Sequence, residues 1–406
     1  MPPHKSTMPR PIIPRPTILQ ILPRLDTGGA ERAAPEIAQA LAAAGARALV
    51  AAEPGRLVAD VRAAGGEFIE FPAATKNPVR ILANARALMR LITAEGIDLV
   101  HARSRAPAWS ALIAARRTGR PFVTTYHGAY NEPNAIKRLY NSVMARSDVV
   151  IANSRYTADL IKSRYGTPEA RIAIVYRGLD PDIFAPEAVS AARIAALRAA
   201  WGVAPDQPVI LHPARLTAWK GQPVVIEAAS LLVREGGIGN AVVVLAGDAQ
   251  GREGYADALR AQIAGLGLGD RVRIVGHVQD IAAAYRAAHV TVLASTQPEA
   301  FGRTATEAEA MECPVIATAI GAPPETVLCA APGLPGPTGW LIPPADARAL
   351  ADALRQALGL SAEARAAVGA RVRAHVLGRF TVDEMRRQTL AVYDRLLHTN
   401  LAGKTG

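Results

Sequence analysis

Two cysteines, Cys313 and Cys329, in a chain of 406 residues leave no disulfide framework and no thiolate metal cluster, which fits a reducing, cytosolic compartment. Aromatic residues make up only 5% of the chain. They are not interleaved with basic residues as in single-strand nucleic-acid platforms, so no nucleic-acid partner is expected. No run of about 18 or more consecutive apolar residues occurs, so a membrane-spanning helix is not expected. Residues 1–16 bear prolines and arginines but lack the continuous apolar segment of a signal peptide, and read as a flexible tail. Lysine is scarce too: Lys5, Lys76, Lys137, Lys162, Lys220 and Lys404 are the whole set.

Half of the residues are hydrophobic, enough for two domains with proper cores. The net charge of +11 is unevenly placed. Residues 1–185 carry 25 Lys and Arg against 15 Asp and Glu, whereas residues 186–406 carry 21 against 20. A basic first half points to an anionic partner: a membrane surface, an acidic glycan or lipid, or nucleic acid. A solvated arginine-rich surface accounts for the same numbers.

Short apolar runs alternate with helical patterns along the whole chain, the layout of mostly parallel, doubly wound α/β sheets. Thr17–Leu22 reads as the first strand, followed by PRLDTGGAER and a helix to about Ala44 with Pro35 in its first turn. Gly28 and Gly29 would let backbone approach a ligand closely there, or simply serve a strand-to-helix turn. Asp98–His101 is a strand whose far end carries His101, Arg103 and Arg105, candidate acceptor contacts. The run 121–130 ends in Tyr126-His127-Gly128, placing His127 at a strand tip. A break in pattern and Pro181 and Pro186 set the domain boundary: 17–185 first, 186–380 second, and 381–406 as a last helix with its tail.

The second half repeats the rhythm. PVILHP (208–213) is a strand followed by ARLTAWKGQP, with Arg215 and Lys220 on either side of a turn before a helix. Such a pair suits a diphosphate, with arginine as fork donor and lysine as point charge. In Gln297–Glu309 (QPEAFGRTATEAE), Pro298 and Gly302 argue for a loop that opens a helix near Arg303 or Thr304. A helix start offers unpaired N–H groups and a positive dipole end, suited to phosphate. Glu299 and Glu307 flank it and could accept hydroxyl hydrogen bonds, although spacing alone equally fits an exposed acidic helix start.

EAFGRTATEAEAMECPVIAT, together with Arg215-Leu to Lys220-Gly221, His127-Gly128 and YRGLDPDIF (176–184), resembles the retaining glycosyltransferases of family 4 with the GT-B fold. That resemblance implies two facing Rossmann-like domains and a terminal helix crossing back to the first. It implies that Glu299 contacts the transferred sugar, Glu307 the nucleotide ribose, and His127 the sugar from the other side. It places Gly28 and Gly29 near the donor, and Gly276, His277 and Val278 along the base. With Arg215, Lys220, Phe301, Gly302, Arg303 and Thr304, these make the donor site, of which His127, Arg215, Lys220 and Glu299 are the catalytic set. The implied reaction moves a hexose-type sugar from a UDP- or GDP-linked donor to a glycan or lipid-linked acceptor, as in lipopolysaccharide or cell-envelope polysaccharide synthesis. The configuration is retained by same-face displacement, in which the leaving phosphate takes the acceptor proton. No tightly bound cofactor and no essential metal are expected, and no D-x-D signal is read. Location is expected to be cytoplasmic, peripheral to the inner face of the membrane. Two departures stand out: Glu312 where relatives carry a helix-ending glycine, and Arg177 where they carry asparagine. The rival readings are a sugar-nucleotide binder without turnover and a basic nucleic-acid-binding protein.

Overall fold

The computed structural model describes residues 15–26, 29–329 and 338–404, so most of the expected tail and Gly28 lie outside the described residues. The chain forms two compact units. The first holds residues 1–176 and 383–406; the second holds 177–382. The division falls after Tyr176, ahead of the 185/186 boundary read from the prolines. The segment from Leu179 onward is tied into unit 2 by backbone: Leu179 donates to the Phe380 carbonyl and Val382 donates to that of Leu179, both at 2.8 Å.

Unit 1 is built on seven parallel strands: β1 (Thr17–Arg24), β2 (Arg47–Glu53), β3 (Glu67–Glu70), β4 (Leu99–Ala102), β5 (Phe122–Tyr126), β6 (Val149–Ala152) and β7 (Ile172–Ile174). Their order is β3-β2-β1-β4-β5-β6-β7. β4 and β5 are buried at every position, as in parallel sheets covered on both faces, and their polar members His101, Thr124 and Thr125 are hydrogen-bonded. Unit 2 holds β8 (Val209–Pro213), β9 (Val242–Ala246), β10 (Val272–Gly276), β11 (Val290–Leu293), β12 (Val315–Thr318) and β13 (Trp340–Ile342). They run in the order β10-β9-β8-β11-β12-β13, again all parallel. In both units the order reverses beside the first strand, between β1 and β4 and between β8 and β11. Open α/β sheets bind ligands at such reversals, outside the carboxyl ends of the strands.

Local signals set the helices. Asn77 caps Pro78–Ala94 by accepting the N–H groups of Val79 and Arg80, and Ser154 caps Arg155–Tyr165 by accepting that of Thr157. Gly119 and Gly166, both left-handed, end their helices. One expectation is corrected. The first helix begins at Gly29, so Pro35 sits in its second turn and cannot donate to the Glu31 carbonyl. A further helix is α over Ala135–Ser142 and tightens to 3₁₀ over Val143–Ala145. The terminal helix Val382–Leu397 delivers Tyr393 and Arg386 to unit 1, where Arg386 donates to Gln39 at 2.6 Å.

His101 in β4 and His212 in β8 are almost fully buried within the sheets. One His101 ring nitrogen faces Tyr393 Oη and the other Thr125 Oγ1, each at 2.7 Å. His212 Nδ1 donates to the Val292 carbonyl at 2.8 Å. Burial holds His101 well below the usual imidazole range, and burial with Lys220 nearby brings His212 down to about 4. Above the ordinary imidazole value both folded and unfolded rings are neutral. As pH falls below it, the unfolded chain binds protons that the folded rings refuse, so stability is lost from about pH 6.5 down to about 4. For His212 alone the full loss is on the order of 3 kcal/mol. Urea midpoints between pH 7 and pH 4.5 should fall, and less steeply in His212→Gln; equal slopes would refute the assignment.

Candidate active site

In unit 2 the loops after β8, β11 and β12 meet at one edge. The loop after β8 turns through Lys220 and the left-handed Gly221 (φ 76°), where any Cβ would strike the Ala294 carbonyl. That contact seats the Lys220 turn directly on the chain leaving β11. Lys220 Nζ then donates to Glu299 Oε1, and Ser295 Oγ donates to the same oxygen at 2.6 Å. The two charged side chains are 18% and 12% exposed, a partly buried pair at a sheet edge. The ammonium also lies 4.2 Å from the centre of the Trp219 ring. Lysine has three donors, so those not facing Glu299 remain to meet an anion.

Glu299 is held by its backbone as well. Gly321, with φ 84°, bridges to Glu299; a Cβ there would sit 2.3 Å from the Glu299 carbonyl oxygen. Ala322 donates to that same carbonyl at 2.9 Å, and Thr318 Oγ1 donates to the Ser295 carbonyl at 2.8 Å. The end of β12 therefore fixes the position of the loop that carries Glu299.

The helix of this motif runs Arg303–Ala310 and is entered through Gly302 at φ 82°, as the sequence suggested. Its first N–H groups, at Arg303 and Thr304, have no intrahelical acceptors. Phe301 is buried, edge-on to Phe380 at 5.8 Å, and anchors the turn. Glu307 pairs with Arg303 at 2.8 Å and accepts from Tyr285 Oη at 3.2 Å. Burial, with that carboxylate beside it, keeps the Tyr285 phenol protonated far above its ordinary range. Arg215 is exposed and makes no ion pair with any described residue; its carbonyl accepts from Gln222 Nε2 at 2.9 Å. Gly276, left-handed at φ 73°, ends β10, and exposed His277 and half-buried Val278 follow it at the same sheet's edge.

In unit 1, His127 follows β5, half-buried, with its carbonyl accepting from Asn153 Nδ2 at 3.4 Å. Gly29 opens the first helix after β1. Arg105 stacks 4.0 Å over the Tyr130 ring and donates to Asn141 Oδ1 at 2.8 Å. Arg103 is 3% exposed and donates through Nε to buried Gln20 at 2.7 Å. His101 is a correction: with both ring nitrogens engaged and no exposed surface, it offers nothing to an acceptor.

Sequence reading passed over Ser295, Trp219, Tyr285 and Gly321. Ser295 and Gly321 follow strands directly and were open to the strand-end argument; Tyr285 lies on a separate helix and carried no local signal. Asp180-Pro-Asp182 is formally a D-x-D string, contrary to the reading that none exists. Asp180 Oδ1 accepts the Asp182 N–H at 2.9 Å there, closing a turn. No group of three or more candidate metal-ligating side chains occurs among the described residues.

Two doubly wound parallel units, the second carrying Lys220, Glu299 and an open helix start at its strand ends, are the layout of a glycosyltransferase of the GT-B type. The family model "Glycosyltransferase Family 4" matches residues 27–183 and "Glycosyl transferases group 1" matches residues 194–375; the chain belongs to this family. It is 32% identical over 400 residues to a D-inositol 3-phosphate glycosyltransferase of Xylanimonas cellulosilytica, covering 91% of this chain and 92% of that protein. A glycosyltransferase structure from Rickettsia africae matches with a TM-score of 0.85 and 32% identity over 96% of this chain and all of that one. Anabaena Alr3699/HepE, solved with UDP and glucose, matches at a TM-score of 0.77 and 26% identity, covering 93% and 99%. The lipopolysaccharide glycosyltransferase WaaG shares the fold at 20% identity and a TM-score of 0.67, over 93% of this chain and 99% of that one.

Glu312 follows that helix at φ 60°, the left-handed conformation a glycine would take without strain. Its carboxylate meets Arg286 at 3.0 Å. Glu312→Gly should relieve roughly 1 kcal/mol of strain and lose a surface pair worth less, leaving stability equal or slightly higher. Glu312→Ala keeps the strain and loses the pair, so it should unfold at lower denaturant than the glycine variant. Gly321→Ala should cost more than about 2 kcal/mol, from the forced backbone and the clash with Glu299. An unaltered melting temperature for that variant would contradict the packing described.

Proposed function

We propose that the chain transfers a hexose-type sugar from a nucleotide diphosphate donor to an anionic acceptor hydroxyl, with retention of configuration. The observation that carries this reading is the Lys220–Glu299–Ser295 cluster at the β8 and β11 strand ends, next to a helix start that faces the same edge. Lys220 and Arg215 would neutralise the leaving diphosphate, and the N–H groups of Arg303 and Thr304 would add the helix dipole to that potential. Once an anion draws on Lys220, Glu299 is left to accept from the sugar hydroxyls. Glu307, already oriented by Arg303 and Tyr285, would accept from the ribose. Gly276 to Val278 would run along the base, and the family resemblance adds His127, Gly28 and Gly29 to the donor contacts.

The leaving phosphate itself takes the acceptor proton in this scheme, so no protein carboxylate need act as base and no step is routed through a metal. The diphosphate of Anabaena HepE is uridine-linked, which favours a UDP sugar over GDP-mannose. The inositol phosphate relatives join the basic excess of residues 1–185 in favouring a phosphorylated or otherwise anionic acceptor, such as an inositol phosphate or a lipid-linked glycan. Among the described residues no helix is long and apolar enough to cross a membrane; reaching a lipid-linked acceptor would rest on peripheral contact from the cytoplasmic side.

A thermal-shift panel of nucleotide sugars identifies the donor, since a bound donor raises apparent stability by mass action. Transfer with that donor should fall about 100-fold or more in Lys220→Ala and in Glu299→Ala. Glu299→Ala should retain nucleotide diphosphate binding, while Lys220→Ala should weaken it. Full turnover in either variant would sink the assignment, and donor binding without turnover in the wild type would leave a sugar-nucleotide binder.

A further inference from the structure

A second concentration of positive charge lies wholly within unit 1, at the opposite edge of its sheet. The helix Arg105–Thr118 and the helix Arg155–Tyr165 end there, and Arg171 leads into the start of β7. A cavity of about 960 Å³ opens among these elements and the short helix Ala135–Ser142. Arg116, Arg138, Arg146, Arg164 and Arg171 line it, and none of its lining residues is acidic.

Nearby carboxylates account for little of this charge. Arg164 has Glu132 at 3.9 Å and Arg116 has Asp148 at 3.8 Å, both long contacts. Glu169, the next acid in sequence, pairs with Lys162 at 3.2 Å. Arg138, Arg146 and Arg171 make no ion pair with any described residue. Favourable interaction with a helix C-terminus explains a cation at Arg116 or Arg164, and Arg146 and Arg171 end short 3₁₀ turns, but Arg138 stands in the first turn of its helix, where the dipole opposes a cation. Several of the guanidiniums are also fixed in place. Arg138 donates to the Arg164 carbonyl, Arg171 to the Ser147 carbonyl, and Arg164 to the Tyr130 carbonyl. Arg146 donates to Ser142 Oγ at 3.1 Å. Each such bond uses one edge of a fork and leaves others for a ligand, with the orientation already set.

We propose that this cavity is a binding site for an anion bearing two or more phosphoryl groups, separate from the strand-end loops that face the donor. Several planar forks around one volume match the spread of oxygens on such an anion, whereas a single carboxylate would leave most of them unanswered. Exposed Leu139 at the rim and Leu112 in the lining also suit a phosphorylated headgroup with an apolar attachment. The same chemistry therefore has a soluble source and a lipid source.

The test titrates inorganic tripolyphosphate into the full chain at fixed ionic strength, using wild type, Arg138→Gln/Arg146→Gln and Lys220→Ala. Both arginines are exposed, and Arg138→Lys/Arg146→Lys retains the charge and reports on folding. Binding should weaken about tenfold or more in the glutamine double variant, persist in Lys220→Ala, and be partly restored in the lysine double variant. Transfer activity should be unchanged in the double variants, which separates this proposal from the donor-site reading. Vesicles of cardiolipin, a lipid whose headgroup carries two phosphoryl groups, in phosphatidylcholine form the second arm. Vesicle binding that needs the two arginines, without tripolyphosphate binding, assigns the site to a lipid headgroup; tripolyphosphate binding alone assigns it to a soluble anion. The proposal is overturned if neither probe binds, if the glutamine variant binds both as the wild type does, or if Lys220→Ala alone abolishes tripolyphosphate binding.

Discussion

A sheet whose strands all run the same way sends every strand's carboxyl end to one edge. That constraint organises each unit of this protein. Lys220 follows β8, Glu299 follows β11 and Gly321 follows β12, residues far apart in the chain and neighbours at the edge. The reversal of strand order between β8 and β11 opens the crevice that the neighbouring connections leave free. Lys220 and Glu299 meet across this reversal.

Close backbone approach converts that coarse placement into fixed geometry. At Gly221 the Lys220 turn rests on the Ala294 carbonyl, and at Gly321 the chain after β12 lies against Glu299. Neither approach tolerates a Cβ, and both glycines take a backbone conformation that other residues adopt only with strain. Two opposite charges, each mostly withdrawn from water, then compensate each other. A partly buried pair of this kind adds little net stability, because desolvation offsets attraction. Its value is positional: the ammonium and the carboxylate are already oriented, with Ser295 as a second donor to the same oxygen.

The distribution of charge has two structural meanings. In unit 2 a few cations are placed one by one at strand ends. In unit 1 arginines gather at the ends of helices and around a cavity on the opposite sheet edge. A count along the sequence shows the basic excess of the first half but cannot separate residues at one sheet edge from residues at the other.

Much of the fold was legible because its signals are local. Alternating apolar runs marked nearly every strand, and Gly302 marked a helix start where the structure has one. The helix Ala362–Leu377 went unread, since its alanine- and arginine-rich sequence buries only a narrow stripe around Val368, Val372 and Val376. His101 looked like a ligand-facing residue because it ends a strand run; what surrounds it comes from β5 and from the terminal helix, 24 and 292 residues away. The sequence by itself determined most of the element order, the parallel sheets, the family and the helix start at Arg303, all of which depend on residues close together in the chain. Only the tertiary structure decided that Lys220 holds Glu299, that Tyr285 supports Glu307, that His101 is enclosed, and that five arginines share one cavity. Those outcomes depend on which distant segments the sheet brings side by side, and no single segment encodes its neighbour.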